Sequence, residues 1–409
     1  MSERRKPYVF VTLEGPDDGG DFGPNTPGTK TSGLQEAINY AHENCRDVYI
    51  YGGRGGMHKG EGINLNVYTL EETLKIPWSQ DFRLDGGNYL LSYPKSTGDA
   101  IQIDSQMNCR YKFGLIASAT EDAAVRFKPE TPGPDDFVVI TASVFDFSAA
   151  CSRGTGILID TSEGPIINSK IFAEETNTFK NGVYIRDDGT GKGAFSNNWL
   201  QVMFTNQCHA TEDAIGFRIG DPGSSKIAHN RFFSSLHAPT GVYFDEETKR
   251  FTTPEVFEPS PGAIGADIFA QNNRFEFAFH GSRAPGNDVV FEEEARNNTV
   301  SVWNLPHGIT NKAKIPTNRI IQNEPVGFNV STPAIPASGT YLVNTSAYLV
   351  EVFILSPGQV VDWTIVDGIG NAQTLSAGLF AGQTFLLEPG DKVKFNYTDA
   401  PTWRWRAFR

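Results

Sequence analysis

The sequence predicts an all-β chain: a solenoid of stacked coils, then a small antiparallel β-sandwich of jelly-roll type. Two series of short motifs and one change of texture predict it. The first series starts on glycine: Gly156-Ile-Leu-Ile, Gly182-Val-Tyr-Ile, Gly216-Phe-Arg-Ile, Gly241-Val-Tyr-Phe and Gly265-Ala-Asp-Ile, at intervals of 26, 34, 25 and 24 residues. The second runs out of phase and starts on asparagine: Asn168-Ser-Lys-Ile-Phe, Asn198-Trp-Leu-Gln-Val, Asn230-Arg-Phe-Phe, Asn273-Arg-Phe-Glu-Phe and Asn298-Thr-Val-Ser-Val. Both alternate apolar and polar residues, the pattern of half-buried strands. Past Pro336 this periodicity ends, and short apolar runs separated by turns such as Ser356-Pro-Gly and Glu388-Pro-Gly-Asp take over.

The solenoid follows from burial. One coil cannot cover its own apolar face, but stacked coils can. Asparagine suits the bend because it tolerates left-handed backbone angles. Its amide can also bond to the same position one coil away and so build a ladder. Coils of this length fit three strands with connections of varying length. Asp99-Ala-Ile-Gln-Ile and Gly114-Leu-Ile-Ala read as earlier, degenerate members, and 246–264 as a loop rich in Pro and Glu.

The N-terminal end should be capped. Residues 31–41 are amphipathic, with Leu34, Ile38 and Ala41 on one face. Ser32 with Gln35 reads as a capping box. A helix here would close an end that otherwise templates aggregation. The expected division is an arm and capping helix (1–45), the solenoid (46–312), a Pro-rich linker (313–336) and the sandwich (337–409). The aromatic tail of the sandwich, Trp403, Trp405 and Phe408, suits an interface.

The order of helix, Val48-Tyr-Ile-Tyr-Gly-Gly53, Tyr68-Thr-Leu, Thr73-Leu-Lys-Ile-Pro77, Phe82-Arg-Leu-Asp-Gly-Gly87 and glycine-initiated coils carries a resemblance. It resembles the right-handed, single-stranded parallel β-helix proteins of the pectate-lyase-like superfamily. In particular it looks like the tailspike and head-spike proteins of tailed viruses. The likeness covers roughly residues 8–310. The closing Ala400-Pro-Thr-Trp-Arg-Trp405 is similar to small C-terminal domains of viral structural proteins. The resemblance implies a virion protein on the exterior surface, a homotrimeric spike or capsid decoration that touches other virion proteins and cell-surface polysaccharide. The alternative is a polysaccharide depolymerase of that superfamily, lyase or glycoside hydrolase, secreted or carried on a virus tail.

Composition narrows the partners. A net charge of −13 over 409 residues argues against nucleic acid or an anionic membrane as the main partner. No apolar run approaches the ~18 residues of a membrane span. The basic start is followed only by the short apolar stretch Tyr8 to Leu13, too short for a secretory segment. A chain reaching the exterior without such a segment fits a virion component better than a secreted enzyme. Cys45, Cys109, Cys151 and Cys208 form no CxxC unit, so buried thiols are expected rather than a zinc site.

Aligned on glycine, the first and third following residues are apolar and should face inward. The second should face outward and form a column: Leu158, Tyr184, Arg218, Tyr243 and Asp267. The strand ends then supply a row of acids at Asp160, Asp187, Asp221 and Asp245. Such a row is either the polar ends of repeated strands or the border of a carbohydrate groove. In the second case the glycan-binding residues are Tyr184, Arg218, Tyr243, Asp160, Asp187, Asp245 and Asp267. Catalysis would fall to Asp187, Asp188, Asp221 or Arg218, although no pair stands out from the row. No cofactor is expected; Asp187 and Asp221 are the residues that would take Ca²⁺. Gly189-Thr-Gly-Lys-Gly lacks the spacing of a phosphate loop and reads as a turn.

Overall fold

Three parallel sheets run side by side through the computed structural model from Tyr8 to Gln322. The structure describes residues 7–52, 57–58, 62–63, 66–207, 214–237, 243–245, 250–252, 262–280, 287–305, 307–322 and 330–407. Each coil visits the sheets in one order. Thr155–Asp160 lies in the first sheet, Ile166–Ile167 in the second and Lys170–Thr178 in the third. The next coil repeats this with Asn181–Arg186, Phe195–Ser196 and Trp199–Gln207. This is a parallel β-helix. An antiparallel sandwich of a four-stranded and a three-stranded sheet follows it.

The inward positions stack as the repeat requires. Ile157, Val183, Phe217 and Ala266 are register partners, as are Ile159, Ile185, Ile219 and Ile268, and none is exposed. In the third sheet the file is aromatic in places: Phe113 stacks on Phe147 and Tyr111 on Phe145, each at 5.2 Å. The initiating glycines serve space rather than flexibility. A Cβ on Gly156 would lie 2.7 Å from the Gly182 carbonyl, and one on Gly182 would lie 2.7 Å from the Gly216 carbonyl and 2.2 Å from Thr205 Cγ2.

At the bend between second and third sheets, two adjacent residues share the roles expected of one asparagine. The first takes the left-handed conformation: Asn108, Ala142, Asn168, Asn197, His229, Asn272 and Asn297 all have φ between 51° and 61°. The second is buried and builds the ladder. Asn198 N–H donates to Asn230 Oδ1, Asn230 N–H to Asn273 Oδ1 and Asn273 N–H to Asn298 Oδ1, at 2.9–3.0 Å. Asn168 therefore belongs to the bend row, one residue earlier than the alignment placed it. Ser169 holds its ladder position and donates its N–H to Asn198 Oδ1 at 2.9 Å.

Two repeat assignments are corrected. Gly114 lies inside the third-sheet strand Arg110–Ser118, while the first-sheet strand of that coil is Ala123–Phe127, which has no leading glycine. The Gly241 motif is not a coil. First-sheet pairing runs directly from Ile215–Ile219 to Ile264–Ile268. Tyr243–Asp245 instead pairs antiparallel with Arg250–Thr252 in a hairpin set against third-sheet strands. Alternating residues suit any half-buried strand, so the local pattern could not tell a coil from a hairpin.

Both ends are covered. The α-helix Leu34–Glu43 buries Leu34, Ala37, Ile38 and Ala41 over the first coils. Its start is bound by Thr31, whose Oγ1 accepts from Gln35 N–H at 3.0 Å, rather than by Ser32. The Gln35 side chain is used elsewhere. Its amide accepts from Lys75 N–H at 2.9 Å and donates to Lys75 C=O at 3.0 Å, which satisfies the edge strand of the first sheet as another strand would. At the other end the last parallel strand is Arg319–Gln322, inside the stretch read as a linker. Ala347 joins the β-helix core there, and Ile320 N–H donates to its carbonyl at 2.7 Å. Trp403 and Trp405 are 6% and 5% exposed in the sandwich core, so they are not offered to an interface; Phe408 lies outside the described residues. Cys109 and Cys151 are buried, Cys45 is exposed, and Cys208 lies outside the described residues. No helix is long and apolar enough to cross a membrane among the described residues.

Candidate functional site

The outward column of the first sheet is present with one member removed. Register aligns Gln102, Arg126, Leu158, Tyr184, Arg218, Asp267 and Val290 along the axis. Tyr243 does not belong to it, because its backbone is in the hairpin. Asp245 leaves with it and sits in register with Arg250.

The remaining acids do not form a single row of open carboxylates. Asp160 is 1% exposed and takes Arg126 at 2.5 Å and Arg186 at 3.8 Å. Burial alone would raise its pKa, but the hydrogen bonds from Arg126 and Ser162 outweigh that and hold the carboxyl below the usual range. Asp187 is buried and spent on a turn. It accepts from Gly189 N–H, Ser224 Oγ–H, Ser225 N–H and Lys226 N–H at 2.8–3.0 Å, tying its own coil end to the next. Asp188 accepts from the Thr190 N–H and hydroxyl, and these bonds lower its pKa. It closes the turn that Gly189 begins.

Asp221, Tyr184 and Arg218 form one unit. The Tyr184 hydroxyl donates to the Asp221 carboxylate at 2.7 Å, and Arg218 Nη2 donates to it at 2.8 Å. The guanidinium lies 5.1 Å from the Tyr184 ring centroid and 6.0 Å from that of Phe269. Burial, then the Asp221 hydrogen bond, pushes the Tyr184 pKa up, so the phenol stays neutral. The ring face expected for sugar stacking thus already carries Arg218. Among the described residues, no three His, Cys, Asp or Glu side chains are grouped to hold a metal ion.

Asp267 differs from the others. It is 6% exposed, and its Oδ1 has no hydrogen-bond partner. Its pKa is raised from 3.8 to about 6, first by burial and then by the Glu292 carboxylate beside it; Arg218 and Lys312 pull the other way. Glu292 in turn holds Lys312 at 2.7 Å. Two carboxyls therefore meet, and one of them holds its proton up to about pH 6, an arrangement able to donate or accept a proton in mildly acid solution. Glu292 and Lys312 were missed in the sequence because Val289-Val-Phe has no glycine before it. Gly308-Ile-Thr-Asn was the signal that could have extended the series to Lys312.

Comparison with known proteins adds no family: no family model matches the chain, and no curated protein matches it.

Proposed function

We propose that this chain is a structural spike or decorating protein of a virus exterior, with a β-helix flank that contacts glycans without cleaving them. One observation carries the non-catalytic part. Asp160, Asp187, Asp188 and Asp221 are each consumed by an ion pair, a turn or a phenol, so these four do not supply an acid and a base facing a common substrate position. The viral setting, the homotrimer and the contacts with other virion proteins rest on the sequence resemblance alone. A depolymerase is the second reading, and the Asp267–Glu292 pair is what favours it.

Incubation with a panel of neutral and anionic polysaccharides separates the two readings. Binding without new reducing ends or unsaturated products is expected, and Tyr184→Ala, which removes the ring and the Asp221 bond, should weaken that binding. Product formation lost in Asp267→Asn would replace the spike by the enzyme. Binding unchanged in Tyr184→Ala would remove the first-sheet face as the glycan site.

A further inference from the structure

A second surface stands out at the bend between second and third sheets. The residue after each ladder position points outward at the start of a third-sheet strand. Register aligns these as Arg83, Arg110, Val144, Lys170, Trp199, Arg231, Arg274, Thr299 and Arg319. Six of the nine positions are cations, and all six are exposed. No position in this file is acidic, in a chain of net charge −13.

This file is unlike its counterpart on the first sheet. There Arg218 sits in register with Asp267, an opposite-charge pair. Like charges on adjacent strands repel, so a cationic file costs stability that alternation would avoid. Partial relief comes from Glu276, which takes both Arg231 at 2.8 Å and Arg274 at 3.3 Å, and from Glu388, 4.0 Å from Arg319. One carboxylate for the two guanidiniums of Arg231 and Arg274 leaves the strip positive there.

The strip borders a shallow groove of about 820 Å³. It is lined by the exposed bend residues Asn168, Asn197, His229, Asn272 and Asn297 and by Lys170, Trp199, Arg231 and Arg274 beside the buried ladder. Trp199 is 37% exposed, with Lys170 Nζ 5.8 Å and the Arg231 guanidinium 5.6 Å from its ring. Adjacent coils are ~4.8 Å apart, so Lys170 to Arg274 spans about 14 Å along the axis.

We propose that this groove binds an extended acidic polysaccharide lying along the β-helix axis. The anionic groups meet Lys170, Arg231 and Arg274, the bend amides take hydroxyls, and one sugar ring rests near the edge of Trp199. Cations alone would serve any polyanion. The amide row and the single indole favour sugar hydroxyls and one apolar ring face over a stack of bases, which would need a series of aromatic platforms. The site is separate from the first-sheet face, so either can fail without the other.

The test is isothermal titration of the full chain with an oligogalacturonate and a sulfated oligosaccharide long enough to span three coils. A neutral malto-oligosaccharide and an oligothymidylate of equal length serve as competitors. At least one acidic sugar should bind at low salt and weaken as salt rises. The neutral sugar should give no heat, and the oligonucleotide should bind more weakly than the acidic sugar. R231Q/R274Q and Trp199→Ala should each lose about tenfold or more in affinity, both in the wild-type chain and beside Tyr184→Ala, while Lys30→Gln, an exposed cation outside the groove lining, should leave it unchanged. If the double variant does not fold, Lys170→Glu is read instead. No binding of either acidic sugar, affinity unmoved by the groove variants, or tighter binding of the oligonucleotide would overturn the proposal.

Discussion

Asp267→Asn should stabilise the protein, and only above a definite pH. Asp267 is buried, with a carboxyl pKa raised from 3.8 to about 6 by burial and by Glu292. An acid whose pKa is higher folded than unfolded contributes stability while protonated in both states. That contribution is complete below about 3.8 and is lost as pH rises through about 6. A shift of roughly 2 units at 1.36 kcal/mol each makes the loss about 3 kcal/mol. Asparagine keeps the shape, carries no charge and loses nothing with pH. Urea midpoints of wild type and variant should nearly coincide at about pH 3.5 and separate by up to about 3 kcal/mol at pH 8, with the variant the more stable. Taking the difference between variants cancels the carboxylates remote from Asp267, which titrate alike in both; Glu292 does not cancel, because the variant removes the charge beside it. A variant less stable than wild type at pH 8, or an effect equal at both pH values, would refute the reasoning that Asp267 is a strained, proton-holding carboxyl.

Two stability predictions concern the coil itself. Asn230→Ala strips the ladder of an acceptor for Asn198 N–H and a donor to Phe195 C=O, both buried; a loss of about 3 kcal/mol or more is expected in urea unfolding. Asn230→Ser should cost less, since Ser169 already works in this file. Gly182→Ala forces a Cβ against the Gly216 carbonyl and Thr205, and should lower the thermal midpoint by an amount matching about 1–3 kcal/mol. An unchanged midpoint would mean that the coils can spread at this position.

Much of the architecture was legible because a solenoid writes itself locally. Alternating residues, a glycine where coils crowd and an asparagine at or beside most bends all follow from constraints within one coil. The sandwich strands were legible for the same reason. What stayed hidden was anything decided by the neighbouring coil. Gly241-Val-Tyr-Phe carries the same local pattern as Gly182-Val-Tyr-Ile, yet one pairs as a hairpin and the other as a rung. Asn168 and Asn198 look alike in sequence, but one bends the chain and the other is buried in the ladder.

The candidate site divides along the same line. Tyr184, Arg218 and Asp267 could be placed in one outward column from their spacing alone. That Asp187 caps a turn, that Asp221 is held by Tyr184 and Arg218, and that Glu292 leans on Asp267 could not be read, because each partner lies on another coil, 25 to 39 residues away except for Arg218 at three. Sequence alone determined the repeating unit, since backbone preference and apolar period act within a coil. Only the tertiary structure decided which charges meet, because stacking sets register and insertions between coils change how far apart in the chain two neighbours lie.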